Sequence, residues 1–210
     1  MANLPFVGHK HKICIICEGF EDHAYMSRLT NIGVWNNCYD FKLINAKSAS
    51  NIPARYQDAF QNNYYELVLV FCDTDKYPYK EYSIVKQKIA GLFGKAKAAE
   101  RTIIYANPCT MQIILSHFGD VALKNQGKKT NSDVIEKLTG VKDYDAHEDQ
   151  ISTICKMINR NNYMSMKARV ALINFPDTTS CSTNFSTFID KFENNEIKWI
   201  AEIQRCLKEE

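Results

Sequence analysis

The chain is expected to be an α/β protein built on a parallel sheet, and three features of its order point there. Four short apolar runs in the first half alternate with segments whose apolar residues recur at helical spacing, the rhythm of strands joined by crossover helices. The first and third runs each end on acids, Glu18 and Asp73, which a parallel sheet delivers to one edge. After Asn107-Pro108 the strand-like runs stop and helical patterns alone follow.

Taken in order, Lys12-Ile13-Cys14-Ile15-Ile16-Cys17 is a short apolar run that ends abruptly in turn-forming and acidic residues, as a strand covered on both faces does. His23 to Ile32 has the spacing of an amphipathic helix, and Phe41-Lys42-Leu43-Ile44 reads as the second strand, followed by a helical stretch from Ile52 to Gln61. Glu66 to Cys72 is the most strand-like run, Tyr82 to Lys95 returns to helical spacing, and Arg101 to Ala106 closes the series as a fourth strand. Helical patterns then cover Met111 to Phe118, Ser132 to Leu138, Ile151 to Ile158, Phe185 to Phe192 and Ile197 to Leu207. The division expected is an α/β core over 10–120 and a helical C-terminal extension over 121–210 that packs on it. No repeat, low-complexity tract or flexible linker marks a boundary between them.

With 26 basic and 24 acidic residues the net charge is only +2, so any nucleic-acid binding must come from a local patch. No apolar run approaches the roughly 20 residues that span a bilayer, and MANLPFVGHKHK has no apolar leader segment. The expectation is a cytoplasmic protein with no membrane association. Of the eight cysteines, Cys14 and Cys17 have C-x-x-C spacing, but an odd separation on a strand sends their side chains to opposite faces. Reduced thiols acting as small hydrophobes are therefore expected.

In a parallel sheet the ends of the first and third strands share an edge, so Glu18, Asp73 and Asp75 are expected to converge although far apart in sequence. If the third strand continued, Asp73 and Asp75 would point the same way, and in a loop they could also close on one ion. Carboxylates gathered together repel one another unless a cation intervenes. Oxygen ligands favour Mg2+, or Mn2+, over zinc. Gly19 and Asn107, each just beyond a strand, are expected to shape the rim of the site. Glu21 and Asp22 read as the acids of a helix start, complementing its dipole.

An acid followed by glycine after one strand, Glu18-Gly19, and D-x-D after another, Asp73-Thr74-Asp75, resembles the TOPRIM domain of topoisomerases, primases and several nucleases. Ala106-Asn107-Pro108-Cys109 leading into Ile113-Ile114-Leu115-Ser116-His117-Phe118, and Ser182-Thr183-Asn184 further on, resemble segments of the RloB-like TOPRIM proteins. The similarity in order spans most of the chain. It departs at Thr110 and Met111, where that family commonly has an aromatic residue and an acid.

The resemblance implies a Rossmann-like TOPRIM sheet and metal-dependent cleavage of nucleic-acid phosphodiesters, in phage defence or restriction. Asp73, Asp75 and Glu18 would hold the ion, and Glu18 would serve as general acid or base. The alternative it leaves open is a non-catalytic TOPRIM module for binding or regulation, acting with a partner ATPase.

Lys124, Lys128 and Lys129 form a short basic loop, KNQGKK, that is a candidate contact for phosphate. His117, set among apolar residues, reads as a core histidine, and His147 as a solvated helix start. The chain has no G-x-x-x-x-G-K-[ST], G-x-G-x-x-G or G-x-S-x-G, so glycine-loop nucleotide binding and an α/β-hydrolase serine are unsupported.

Overall fold

The computed structural model describes residues 8–75, 78–124 and 128–208. The first half runs β1 (His11–Cys17), α1 (Phe20–Asn31), β2 (Tyr39–Asn45), α2 (Ile52–Gln61), β3 (Leu67–Asp73), α3 (Lys80–Phe93), α4 (Ala96–Thr102) and β4 (Ile103–Ala106). The second half continues α5 (Thr110–Leu115), α6 (Ser132–Thr139), α7 (Glu148–Met157), α8 (Arg160–Leu172), α9 (Phe185–Glu193) and α10 (Lys198–Lys208). All pairings in the sheet are parallel, in the order β2-β1-β3-β4. The fold is therefore α/β with a helical C-terminal region, and its sheet is of the Rossmann-like kind. Among the described residues no helix is long and apolar enough to cross a membrane.

The chain leaves β1 toward β2 and returns on the other side to place β3, so the winding direction reverses between β1 and β3. A crevice opens at the carboxyl ends of the strands at such a point. Both strands are central, and Ile13 to Cys17 and Leu67 to Cys72 are buried throughout. That is why they read as continuous apolar runs and not as alternating ones.

The sheet's two faces are sorted by residue parity. Ile13, Ile15, Cys17, Leu69 and Phe71 join one apolar cluster with residues of α1 and of α5 to α10. Cys14, Ile16, Val68, Val70 and Cys72 join the other, with α2, α3 and α4. Cys14 and Cys17 thus lie on opposite faces, and no disulfide joins any of the eight cysteines. The C-terminal helices supply much of one layer: Phe185 of α9 lies 5.6 Å from the Phe71 ring of β3, and Phe192 lies 5.0 Å from Phe41 of β2.

Two helices escape the sequence reading. In α8 the residues Tyr163, Met166 and Val170 are buried at helical spacing, but Met164 and Leu172 are 62% and 76% exposed. Apolar residues on the solvent side blur the periodicity that marks a helix. In α4 the burial falls on Ala98, Ala99 and Thr102, residues too small or polar to register as an apolar stripe. It also takes Arg101 and Thr102 from the start of the expected fourth strand.

The edge strand β4 is closed by Ser182-Thr183-Asn184. Asn184 accepts the Tyr105 backbone N–H at 2.9 Å and donates to the Ile103 carbonyl at 2.8 Å. The Asn107 backbone N–H reaches the Ser182 carbonyl at 2.9 Å. One side chain here stands in for a neighbouring strand, which keeps the edge from pairing with another chain. Asn184→Ala should cost about 2–3 kcal/mol, since it strips partners from two backbone groups of a covered strand. Urea denaturation checks this, and a loss below about 0.5 kcal/mol would mean that water replaces the amide.

Candidate functional site

The strand ends at the switch point carry the acids. The Glu18 backbone N–H extends the β1–β3 ladder onto the Phe71 carbonyl at 3.0 Å. Its side-chain Oε2 accepts the Asp73 backbone N–H at 3.1 Å. The two acids are thereby locked together across the central strands, as their strand-end positions predict.

Asp73 ends β3 partly buried. Its Oδ1 accepts two bonds from the first residue of α5, the Thr110 backbone N–H at 2.7 Å and the Thr110 hydroxyl at 3.0 Å. The Thr110 hydroxyl also contacts Asp22 Oδ1. A hydroxyl carries one hydrogen, so both contacts are satisfied together when one of the two carboxyls is protonated.

Asp75 departs from the simple strand picture. β3 ends at Asp73, Thr74 is buried, and Asp75 is exposed with a left-handed backbone of φ 57°, a conformation that Asp tolerates better than most residues. The alternation that would align Asp73 with Asp75 therefore stops between them. Asp75 nevertheless stays close enough for its charge to act on both Glu18 and Asp73.

Sequence reasoning assigned Glu21 and Asp22 to capping, and Asp22 does accept the Gly19 N–H at 2.8 Å at the start of α1. Both are also buried and belong to the acid cluster. Glu21 Oε2 accepts the Tyr144 hydroxyl at 2.7 Å, so a tyrosine between α6 and α7 reaches into the site. A ligand atom each from Glu21, Asp73 and Cys109 lies within 4.8 Å of the others. Cys109 and Thr110 also went unassigned; their signal was their place just after the fourth strand, at the same edge as the acids.

Burial and like charge together set the electrostatics. Burial first, then the charges of Asp22 and Asp75, raise the Glu18 carboxyl from 4.5 to about 8, against the lowering effect of the Asp73 N–H. Burial, followed by Asp22, Glu18, Glu21 and Asp75, pushes the Asp73 carboxyl well above its usual range. Among the described residues neither Glu18 nor Asp73 has a salt bridge.

Glu18, Glu21, Asp22 and Asp73 line a cleft of about 230 Å³ with Gly19, Phe20, Lys47 and Ser48 among its walls. Gly19, expected at the rim, is one of the residues lining this cleft. Asn107 is wholly buried and turns elsewhere: its Nδ2 donates to the Asp177 carbonyl at 2.8 Å and the Tyr79 hydroxyl at 3.3 Å, which makes it a support for the 176–183 segment. Lys124 is exposed and does not line the cleft, while the side chains of Lys128 and Lys129 lie outside the described residues.

His117 is a buried core residue, with Nε2 at 3.1 Å from the Tyr25 hydroxyl and Nδ1 at 3.2 Å from Asn162. Burial lowers its pKa to about 4. No family model, curated protein or solved structure matches this chain.

Proposed function

We propose that this chain is a TOPRIM-like, divalent-cation-dependent phosphodiesterase acting on nucleic acid. The observation that carries the reading is the convergence of Glu18, Glu21, Asp22, Asp73 and Asp75 at the switch point of a parallel sheet. Such a group calls for a cation, and its position is where α/β proteins bind ligands.

The residues fit one. Donors of a common ion at roughly 2.0–2.6 Å can be no more than about 5 Å apart, and Glu21, Asp73 and Cys109 meet that spacing at 4.8 Å. The carboxylate oxygens suit Mg2+ or Mn2+, while a Cys109 thiolate is a softer ligand of the kind zinc takes. Glu21, Asp73 and Cys109 would hold the ion, and Asp75 would add negative charge from nearby. When bound, the ion supplies polarisation of the phosphate and stabilisation of charge on the leaving oxygen.

Glu18 does the proton work. Its pKa of about 8 places it near neutrality, where one carboxyl can either accept a proton from water or give one to a leaving oxygen. The Asp73 N–H holds its orientation, and Thr110 fixes Asp73 in turn. In this role the protein would act in the cytoplasm, with nucleic acid as substrate and an ATPase as partner. A second reading, a cation-binding regulatory module that cuts nothing, is favoured by Met111, which is buried among apolar side chains where the resembling family has an acid.

Two measurements test the proposal. Manganese titrated calorimetrically into wild type should bind, and Asp73→Asn should bind at least tenfold more weakly; equal binding overturns the cation assignment. Purified protein should cleave at least one of plasmid, linear duplex, single-stranded DNA or transfer RNA with Mg2+ or Mn2+ and none with chelator. Manganese binding without any cleavage, alone or with the ATPase, leaves the regulatory module as the function.

A further inference from the structure

We propose that Lys47 binds the substrate's phosphate in the acid cleft, an inference that rests on the phosphodiester reading and identifies the cleft's cationic wall. A phosphodiester carries a negative charge, and a cleft walled by carboxylates repels it. One bound cation offsets only part of several acids. A positive side chain on the substrate's side would supply the missing attraction, and Lys47 is the lysine that lines this cleft.

The loop carrying Lys47 is built and anchored. The Ala46 backbone N–H bonds the Cys17 carbonyl at 2.8 Å, tying the loop to the end of β1 next to Glu18. Asn45 Oδ1 accepts the Lys47 N–H at 2.7 Å, and Asn51 Nδ2 donates to the Ala46 carbonyl at 2.9 Å. Ala46 and Ala49 are buried on either side of an exposed Lys47. The lysine itself is held at φ 70°, a left-handed conformation that costs a non-glycine residue about 1–2 kcal/mol. Residues kept in such conformations by their surroundings concentrate at functional sites.

Lys47 also has no ion pair among the described residues, although acids line the same cleft. Its ammonium group is therefore available to a ligand. With both acids and a lysine in its lining, the cleft suits a phosphate held jointly by a bound cation and Lys47. The neighbouring Ser48, whose hydroxyl lies 2.9 Å from that of Ser50, offers a polar contact beside it.

The test is binding of fluorescein-labelled single-stranded DNA, single-stranded RNA and duplex DNA by anisotropy across a salt series, with calcium as the divalent ion. Lys47→Gln should weaken binding roughly tenfold at low salt. It should also lower the slope of log K against log salt by about one phosphate contact, ~0.7 for a single strand or ~0.9 for a duplex. Lys47→Arg should restore the slope, and Lys42→Gln, on β2 and outside the cleft, should leave it unchanged. A loss of folding alone would not spare the slope in the arginine variant while changing it in the glutamine variant. If wild type binds and Lys47→Gln binds with the same affinity and slope, the assignment is overturned while cation-dependent cleavage stands. If wild type binds none of the probes although manganese occupies the acids, the Lys47 assignment and the nucleic-acid reading fall together.

Discussion

Glutamine in place of Glu18 is expected to slow phosphodiester cleavage by about a hundredfold to ten-thousandfold, the contribution of a positioned acid or base, while leaving the fold and most of the manganese affinity intact. The carboxylate oxygen that accepts the Asp73 N–H has a counterpart in the amide oxygen of glutamine, so the lock between β1 and β3 survives. The amide brings no charge to a position on which the charges of Asp22 and Asp75 act. What disappears is proton transfer. Wild type and variant must come from matched preparations, because a trace contaminating nuclease would cut equally in both. A variant that matches wild type at several manganese concentrations, with contamination excluded, removes Glu18 from the chemistry.

In the absence of divalent cations the folded protein should lose stability as the pH rises from about 4.5 to about 8. Burial and the neighbouring acids raise the Glu18 carboxyl from 4.5 to about 8, so over that interval the folded state holds a proton that the unfolded state has released. Stability then falls with increasing pH. It is fully present below 4.5 and lost as pH climbs through the folded value, the reverse of a salt-bridged carboxylate. Asp73, raised in the same direction, adds to the loss. The combined effect should be on the order of a few kcal/mol.

Asp73→Asn should recover part of that loss, on the order of 1–2 kcal/mol at pH 8 in chelator, because the side-chain oxygen still accepts from Thr110 while one repelling charge is gone. Manganese should stabilise wild type at pH 8 and act much less on the variant. Guanidinium midpoints across pH, with chelator or manganese, provide the measurement. Stability that rises with pH in chelator would show the acids to be compensated from within the protein.

Much of the fold was legible because burial writes itself into local pattern. β1 and β3 are covered on both faces and read as unbroken apolar runs, and α2 runs from Ile52 to Gln61 in the sequence reading and in the structure alike. α4 and α8 were missed where the pattern is silent or false: alanines carry the packing of the one, and exposed Met164 and Leu172 mask the buried stripe of the other. At the site, the meeting of Glu18 with Asp73 followed from strand-end position alone. The alignment of Asp75 with Asp73 did not follow, because β3 ends first.

The sequence by itself therefore determined the strands, their apolar faces and the delivery of acids to one edge, since each depends on residues near one another in the chain. Only the tertiary structure decided that Tyr144 from the helical region grips Glu21, that Thr110 bridges Asp22 and Asp73, that Cys109 joins the acids, and that Lys47 and not Lys124 lines the cleft. Those contacts are set by strand order and by the packing of helices distant in sequence. The raised carboxyl pKa values arise the same way: they depend on solvent excluded by the whole fold and on charges gathered from separate elements, neither of which any local run of residues records.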